Sequence, residues 1–320
     1  MIKLNDQRFL VTGGAGFIGS HICDEIIKQD KYVVCLDNFA NGKLENIQHL
    51  MNHPNFKLVV GDITKILEMP YLLDIFSNID VVFHEACSKC TVCRIDPELD
   101  LKVNAWGSFN VFEACRLKGV RKIVHASTGS VYGEPHIFPE TEDHPLNPCS
   151  FYGVSKLAGE KYLHTFKEYH NLNYSVLRYF HVYGSHQDNS VYGGVIPIFI
   201  RNIIDHEPIK IYGDGTQQRS FTYVKDVVNA NFLMSNNCHT DHQTYHVASG
   251  IQVTISELAH MIRELMNVPD HPIEYHDWRK GDIKNFEISN AKIKEIDPSL
   301  FTQPFAVGLK ETIDWYVSGD

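Results

Sequence analysis

The sequence predicts an α/β protein: a doubly wound parallel sheet followed by a smaller C-terminal α/β domain. Three observations carry this. Short β-rich runs alternate with longer helical patterns over the first 180 residues, which is the rhythm of βαβ units. Those runs are near-continuously apolar, as in strands covered on both faces. After about residue 180 the rhythm changes, and Gly- and Pro-containing turns separate shorter elements.

The elements follow in order. FLVTG (9–13) is the first strand, followed by a helix near 17–29 and a second strand, YVVCLD (32–37). KLVVGD (57–62) and DVVFHEA (80–86) continue the series. A long helical pattern fills roughly 98–118 and leads to KIVHAST (122–128). A further helix follows 151 and ends before YSVLRYF (174–180). Beyond it, GGVIP (193–197) and GDGTQQR (213–219) read as turns. Thr254-Ile-Ser-Glu257 is a capping box opening a helix near 255–266. The first domain is expected over 1–180 with a return segment near 222–240, and the second over 181–320.

Composition bounds the function. The 320 residues are 43% apolar and 21% charged, ordinary for a globular protein. A net charge of −10 argues against nucleic acid as a partner, because that needs a basic face. No apolar run reaches the roughly 18–20 residues that span a bilayer, so no membrane partner is expected. The N-terminus lacks the pattern of a signal peptide, and a cytoplasmic location is expected. The eight cysteines are then expected as thiols rather than disulfides.

Gly13-Gly14-Ala15-Gly16-Phe17-Ile18-Gly19 lies between the first strand and the first helix. Glycines spaced G-x-x-G-x-x-G let the backbone turn tightly and bring a pyrophosphate to a helix N-terminus, as in Rossmann-type folds. Asp37 closes the second strand, where a carboxylate can accept from a ribose 2′-hydroxyl and would repel a 2′-phosphate. NAD is therefore the expected cofactor, rather than NADP. A ligand-free glycine turn is the plainer reading, and the joint placement of strand, helix and acid outweighs it.

Tyr152 and Lys156 form a Y-x-x-x-K pair at a predicted helix start, on one helical face. At about 4 Å and an effective dielectric near 20, the ammonium is worth roughly 4 kcal/mol to a phenolate. That is enough to bring a tyrosine from about 10 toward neutrality, making Tyr152 a general base. Taken alone, such a pair arises often by chance. Thr128, at the C-terminal end of a predicted strand, adds a hydroxyl where open α/β sheets bind ligands.

These residues resemble a known family. GGAGFIG, Asp37-Asn38, Gly61-Asp62-Ile63, Ser127-Thr128 before Val131-Tyr132-Gly133, and Tyr152-Gly-Val-Ser-Lys156 occur in its order. So do Arg178-Tyr-Phe-His-Val-Tyr-Gly184, Gln218-Arg219-Ser-Phe-Thr-Tyr-Val224 with Asp226, and Arg279-Lys-Gly-Asp282. Together they resemble the extended short-chain dehydrogenase/reductases that modify nucleotide sugars, above all UDP-glucose 4-epimerase-like enzymes. The resemblance implies that Gly13, Gly16, Gly19 and the amides of Phe17 and Ile18 face the pyrophosphate. It puts Asp37 and Asn38 at a ribose, and Asp62 and Ile63 beside the adenine. Lys89, Asn104, Tyr152, Lys156 and Phe180 would meet the nicotinamide side. Lys89, Thr128, His181, Val195, Arg219, Arg279 and Asp282 would meet the substrate, a UDP- or GDP-hexose. Guanidinium forks suit a diphosphate. The resemblance also implies a homodimer packed through the helices near 98–118 and from Tyr152; Val103, Phe109, Val111 and Phe112 fit that face or packing on the sheet equally.

The two residues after Thr128 distinguish the possible reactions. A nucleotide-sugar 4,6-dehydratase usually carries Asp-Glu there as acid and base, and a UDP-glucuronate decarboxylase keeps the glutamate. Here the residues are Gly129 and Ser130; glycine has no proton to give and serine is a poor base without a partner. A 4-epimerase needs no further acid or base, so 4-epimerisation through a 4-keto sugar is expected. Two departures stand against it. His181 replaces the usual asparagine and can titrate. Cys87-Ser-Lys-Cys90-Thr-Val-Cys93 replaces an Ala-rich stretch, and a thiol there could serve as a dehydratase acid. Pro97 stands where an iron–sulfur run needs its fourth ligand, so no metal is expected and small apolar fillers are the plainer reading. The alternatives are a 4,6-dehydratase using a cysteine, His181 or Glu134, and a non-catalytic NAD-binding regulator.

Overall fold

In the computed structural model, residues 7–135, 137–190, 193–278 and 287–319 are described. The strands are β1 (Arg8–Thr12), β2 (Tyr32–Asp37), β3 (Phe56–Val60), β4 (Val81–His84), β5 (Lys122–Thr128) and β6 (Tyr174–Tyr179). They are followed by β7 (Val182–Tyr183), β8 (Ile209–Tyr212), β9 (Gln218–Ser220), β10 (Thr222–Tyr223), β11 (Gln243–Val247), β12 (Gln252–Thr254) and β13 (Ile273–His276). The helices of the first half are α1 (Phe17–Lys28), α2 (Pro70–Asp74), α3 (Pro97–Asp100), α4 (Ser108–Lys118) and α5 (Phe151–His170). The later ones are α6 (Val195–Ile204), α7 (Val224–Asn236), α8 (Ile255–Leu265), α9 (Ala291–Ile296) and α10 (Phe305–Ser318).

A seven-stranded sheet runs β11-β6-β5-β4-β1-β2-β3, the Rossmann-like sheet anticipated from the strand rhythm. The parallel register sets Thr12 opposite both Leu36 and His84, and Thr128 opposite Tyr179. Parallel pairing sends the carboxyl ends of all these strands to one edge. Residues just past β1, β2, β4 and β5 therefore share that edge, where open α/β sheets bind ligands. Strand interiors such as Phe9-Leu10-Val11 and Val81-Val82-Phe83 are fully buried, as their unbroken apolarity requires.

The chain separates into two compact units. The first, 1–134, 142–179 and 228–245, holds most of the large sheet. One face of that sheet carries a core in which Leu10, Val82 and Ile123 meet Phe76, Val111, Phe112, Leu163 and Phe166. The second unit, 135–141, 180–227 and 246–320, is built on three two-stranded pairings. Pairs β7–β10 and β8–β13 are parallel and β9–β12 is antiparallel. Its helix α10 packs on α6 and α8, and Tyr183, Phe221 and Phe305 form an aromatic cluster. The Thr254–Glu257 capping box is present and opens α8.

Several boundaries differ from the expected ones. The pattern over 98–118 resolves into α3, a π-helical segment (Leu101–Gly107) and α4. Ser108 Oγ donates to the Asn104 carbonyl at 2.6 Å, competing for a helical acceptor as serine does when a helix is distorted. β4 ends at His84, so Glu85 and Ala86 lie beyond the strand. The turn before Val195 is short, because Val195-Ile196-Pro197 already form the first turn of α6, where proline is tolerated. No helix among the described residues is long and apolar enough to cross a membrane.

Candidate active site

The glycine turn is built as its spacing requires. Gly13, at φ +68°, lies so close to the chain after β4 that a β-carbon on it would sit 2.8 Å from Ala86 Cα. A β-carbon on Gly19 would sit 2.2 Å from the Gly13 carbonyl oxygen. Only glycine lets strand, turn and helix approach this closely. α1 starts at Phe17 with Gly16 as its cap and no side-chain hydrogen bond to its first N–H groups, the donor set an anion needs. Asp37, 6% exposed, accepts from the Ala15 amide (2.9 Å) and the Phe39 amide (2.8 Å). Burial raises its carboxyl above the usual value while these two amides oppose the rise. Asn38 Nδ2 donates to Asp62 at 3.0 Å, and Asp62 also caps the turn beginning at Ile63 by accepting from the Thr64 amide. These residues fit a dinucleotide: uncapped amides for a diphosphate and an acid held at the strand end.

A buried polar chain runs inward from β1. Thr12 Oγ1 meets His84 Nδ1 at 2.7 Å, and His84 Nε2 meets Ser108 Oγ at 2.9 Å. Because the Ser108 hydroxyl donates to Asn104, its oxygen is left to accept from His84 Nε2–H, and Nδ1 accepts from Thr12. His84 is thus neutral, and burial, then the charge of Lys156, hold it down at about 3. Asn104 Oδ1 accepts from the Ser88 amide (2.7 Å), and its Nδ2 donates to Asp100 (2.9 Å) and Ser155 (3.2 Å). That amide ties the 87–93 segment, which includes half-buried Lys89, to the helix bearing Lys156.

Tyr152 and Lys156 lie in the first turns of α5, which Ser150 caps by accepting from the Gly153 amide at 3.1 Å. Thr128 ends β5, accepts from the Ser130 amide (3.2 Å) and has Ser130 Oγ 3.3 Å from its own hydroxyl. It also hydrogen-bonds Tyr152, bringing the two hydroxyls together. Lys156 is 2% exposed. The expectation that the ammonium brings the phenol toward neutrality is not met. Burial raises Tyr152 well above its ordinary value, the Cys87 and Cys90 sulfurs add to the rise, and the Thr128 bond opposes it. Desolvation of the phenolate is the largest cause, and Cys87, Cys90 and Asp100 push the same way. The charge of Lys156 bears instead on Glu85, Cys87 and Asp100.

The cysteine segment divides by position. Cys93 is buried and its thiol donates to the Cys90 carbonyl at 3.0 Å, a filler with a local bond. Cys87 is half-buried and Cys90 exposed; burial raises both, so both stay thiols at neutral pH. No group of three metal-capable side chains is placed to hold an ion among the described residues. One group that composition and spacing missed is Glu85, whose carboxyl burial pushes up to about 7. The signal was present as a single acid directly after the apolar run VVFH.

Phe180, His181, Val195 and Arg219 fall in the second unit. Phe180 packs edge-on against His246, with ring centroids 5.0 Å apart. His181 stands at φ +40°, and burial, then the Arg219 charge, lower it to about 4, so it is neutral at pH 7. Arg219 is half-buried on β9 and donates to the Gln218 carbonyl at 2.7 Å. Val195 is the first residue of α6. Arg279 and Asp282 lie outside the described residues.

Comparison with known proteins agrees with this architecture. The family model for the NAD-dependent epimerase/dehydratase family matches residues 9–248. A UDP-glucose 4-epimerase of Mycolicibacterium smegmatis is 36% identical over 315 residues, covering 97% of this chain and 98% of that protein. Among solved structures, a UDP-N-acetylglucosamine 4-epimerase from Methanobrevibacter ruminantium M1 in complex with UDP-N-acetylmuramic acid superposes with a TM-score of 0.92 at 35% identity. It covers 99% of this chain and 100% of that one. The UDP-glucuronic acid 4-epimerase from Bacillus cereus, solved with UDP-glucuronic acid and NAD, superposes at 0.89 with 28% identity, covering 98% and 100%. UDP-sugar decarboxylases and a dTDP-glucose 4,6-dehydratase are also similar. The chain belongs to the NAD-dependent epimerase/dehydratase family, enzymes that modify nucleotide sugars.

Proposed function

We propose that the chain is a nucleotide-sugar 4-epimerase acting on a UDP-hexose or related sugar through a transient 4-keto sugar. The observation that carries this reading is the pair after Thr128. Gly129 offers no functional group, and the Ser130 hydroxyl is engaged by Thr128, so no carboxyl stands there for elimination or for a second proton transfer. Bound NAD supplies the hydride acceptor. Tyr152, once ionised to the phenolate, takes the proton of the sugar hydroxyl, Thr128 stabilises that phenolate by its hydrogen bond, and the resulting phenol returns the proton after the keto sugar has turned over. In this reading Phe17 and Ile18 offer their amides to the cofactor diphosphate. Asp37 and Asn38 hold its ribose, Asp62 and Ile63 flank its adenine, and Lys89 and Asn104 order the segment beside the nicotinamide. His181, Val195 and Arg219 recognise the sugar nucleotide, with neutral His181 acting as a hydrogen-bonding group in place of an amide.

The test is incubation of the protein with UDP-hexoses, their N-acetyl and uronic forms, and GDP-hexoses. Equilibration of C4 isomers supports the reading. A stable 4-keto-6-deoxy product with loss of water, or release of carbon dioxide from a uronic acid, rejects it. A 4,6-dehydratase is the second reading, favoured by one observation: Cys87 and Cys90 lie within electrostatic reach of Tyr152 and keep protons to give.

We also propose a homodimer through the outer faces of α4 and α5 and the π-helical segment between α3 and α4. Val111 and Phe112 are fully buried on the sheet and cannot serve. The large apolar side chains left outward on these elements include Trp106 (50% exposed), Phe151 (64%) and Val154 (54%). Large apolar side chains exposed together on neighbouring elements are the kind of surface that pairing covers.

A further inference from the structure

We propose that Glu85 is the counter-charge to the oxidised nicotinamide, an acid at the carboxyl edge of the sheet that makes the preference for NAD+ over NADH depend on pH. This goes beyond the family assignment and rests only on NAD dependence, not on the particular sugar reaction.

The placement is specific. Glu85 follows β4, and its backbone amide donates to the Thr12 carbonyl at 3.2 Å, which sets it alongside the first glycine of the cofactor turn. A β-carbon on Gly13 would lie 3.1 Å from the Glu85 carbonyl carbon. The Glu85 carboxyl accepts from the Tyr179 hydroxyl at 2.9 Å, and that oxygen in turn accepts from Asn231 Nδ2 at 2.7 Å. The acid is therefore fixed at the edge where a dinucleotide crosses an open sheet. The titratable and charged groups that face it are Lys156 from α5, Tyr179 from β6 and Cys87 from the segment just after it. Asn231 of α7 and Gly13 carry no titratable group.

No step of epimerisation needs this carboxyl, yet a half-buried, partly desolvated acid without a task is costly. Burial pushes it up to about 7, with the Tyr179 bond and the Lys156 charge opposing. It is therefore ionised above that pH and neutral below it. The oxidised nicotinamide ring is a cation and the reduced ring is not. A carboxylate nearby favours the oxidised form, whereas a neutral carboxyl does not distinguish them. By linkage, binding NAD+ near pH 7 releases a proton and binding NADH does not.

The test uses the full chain freed of cofactor, titrated with NAD+ and with NADH from pH 5.5 to 8.5 without any sugar. The affinity ratio of NAD+ to NADH rises at least tenfold with pH, the scale of one charge within about 12 Å at an effective dielectric near 20. In Glu85→Gln the ratio is low and flat. Tyr179→Phe keeps the acid but removes the bond that holds it down, so the midpoint moves to higher pH. A pH-independent ratio in the native protein, or a pH dependence that survives in Glu85→Gln, overturns the proposal. If Glu85→Gln does not fold, Tyr179→Phe decides, because an unmoved midpoint overturns it equally. These readings leave the choice of sugar reaction untouched, whereas a chain that binds neither cofactor form defeats both.

Discussion

A β-carbon added to Gly153 would lie 2.4 Å from the Ser130 carbonyl oxygen. The start of α5 therefore rests directly on the turn after β5, and this contact sets Tyr152 beside Thr128. Replacing Gly153 by alanine gains about 1 kcal/mol of helix propensity, but overpacking against backbone costs about 1–3 kcal/mol. The clash wins, since neither a carbonyl nor the first turn of a capped helix can step aside. Gly153→Ala is expected to lower stability in urea unfolding and to cut turnover at least tenfold. Unchanged turnover would show that the contact does not position Tyr152.

Thr128 provides the hydrogen bond that lowers the Tyr152 phenol, against a larger push upward from burial. A base held high in the free enzyme gives a kcat/KM that climbs with pH. Thr128→Val removes the lowering bond, so the climbing limb shifts to higher pH and activity at pH 7 falls. Tyr152→Phe removes the base and is expected to cost about 10²–10⁴-fold in turnover while cofactor binding persists. A pH profile identical in Thr128→Val and native protein would sink this account.

The kind of interaction that decides each feature sets how legible it is in the sequence. The first six strands are legible because each is a local apolar run, and YVVCLD and KIVHAST keep their ends to the residue. The later strands, β7 to β13, are not, being mostly short and paired with distant segments. The glycine turn with Asp37 is legible because backbone geometry demands those residues at those spacings. The state of Tyr152 is not. Its neighbours Cys87 and Cys90 arrive from a different loop, and helical spacing shows only Lys156. The helix over 98–118 hides its π segment, because the distortion comes from Ser108 bonding a carbonyl rather than from hydrophobic period. Glu85 reads as part of a strand, and its task depends on Tyr179, 94 positions away.

The buried pair Arg178–Glu160 binds β6 to α5. Arg178 reaches the Glu160 carboxylate through Nε (3.0 Å) and Nη2 (2.6 Å), and Ser127 donates to the same carboxylate at 2.5 Å. Both partners are buried, at 4% and 7% side-chain exposure. Glu160→Ala strands a guanidinium in the core and should destabilise by about 3–5 kcal/mol. Thermal and urea unfolding measure this, and a loss below about 1 kcal/mol, the scale of a solvated ion pair, would mean the pair is hydrated.

Trp106 stacks on Phe109, with ring centroids 5.5 Å apart, and Phe109 meets Tyr162 of α5 edge-on at 5.4 Å. This ladder spans both helices and presents the indole outward. Placing a carboxylate there adds a charge to a face that must desolvate on pairing. Trp106→Asp should turn a dimer into a monomer in sedimentation equilibrium, with little change in unfolding of the isolated subunit. A native protein that sediments as a monomer at micromolar concentration rejects the interface.

His181 keeps one protonation state across neutral pH. Burial and Arg219 hold it at about 4, so between pH 6 and 8 it stays uncharged and gives the nucleotide-sugar KM no pH dependence. Asparagine tolerates the left-handed backbone at this position and supplies an amide of similar reach. His181→Asn is expected to keep KM within about threefold and leave the pH profile over 6–8 unaltered, since about 1 kcal/mol is the usual scale for exchanging one neutral hydrogen bond for another. Acid stability should separate the two proteins. The unfolded chain protonates this histidine below about 6.5, whereas the folded chain resists until about 4. Native protein therefore loses stability as pH falls through that window, and the variant lacks this loss. Its stability relative to native should improve between pH 7 and 5 in urea unfolding. A relative stability that does not change with pH would place His181 in water rather than in the folded interior.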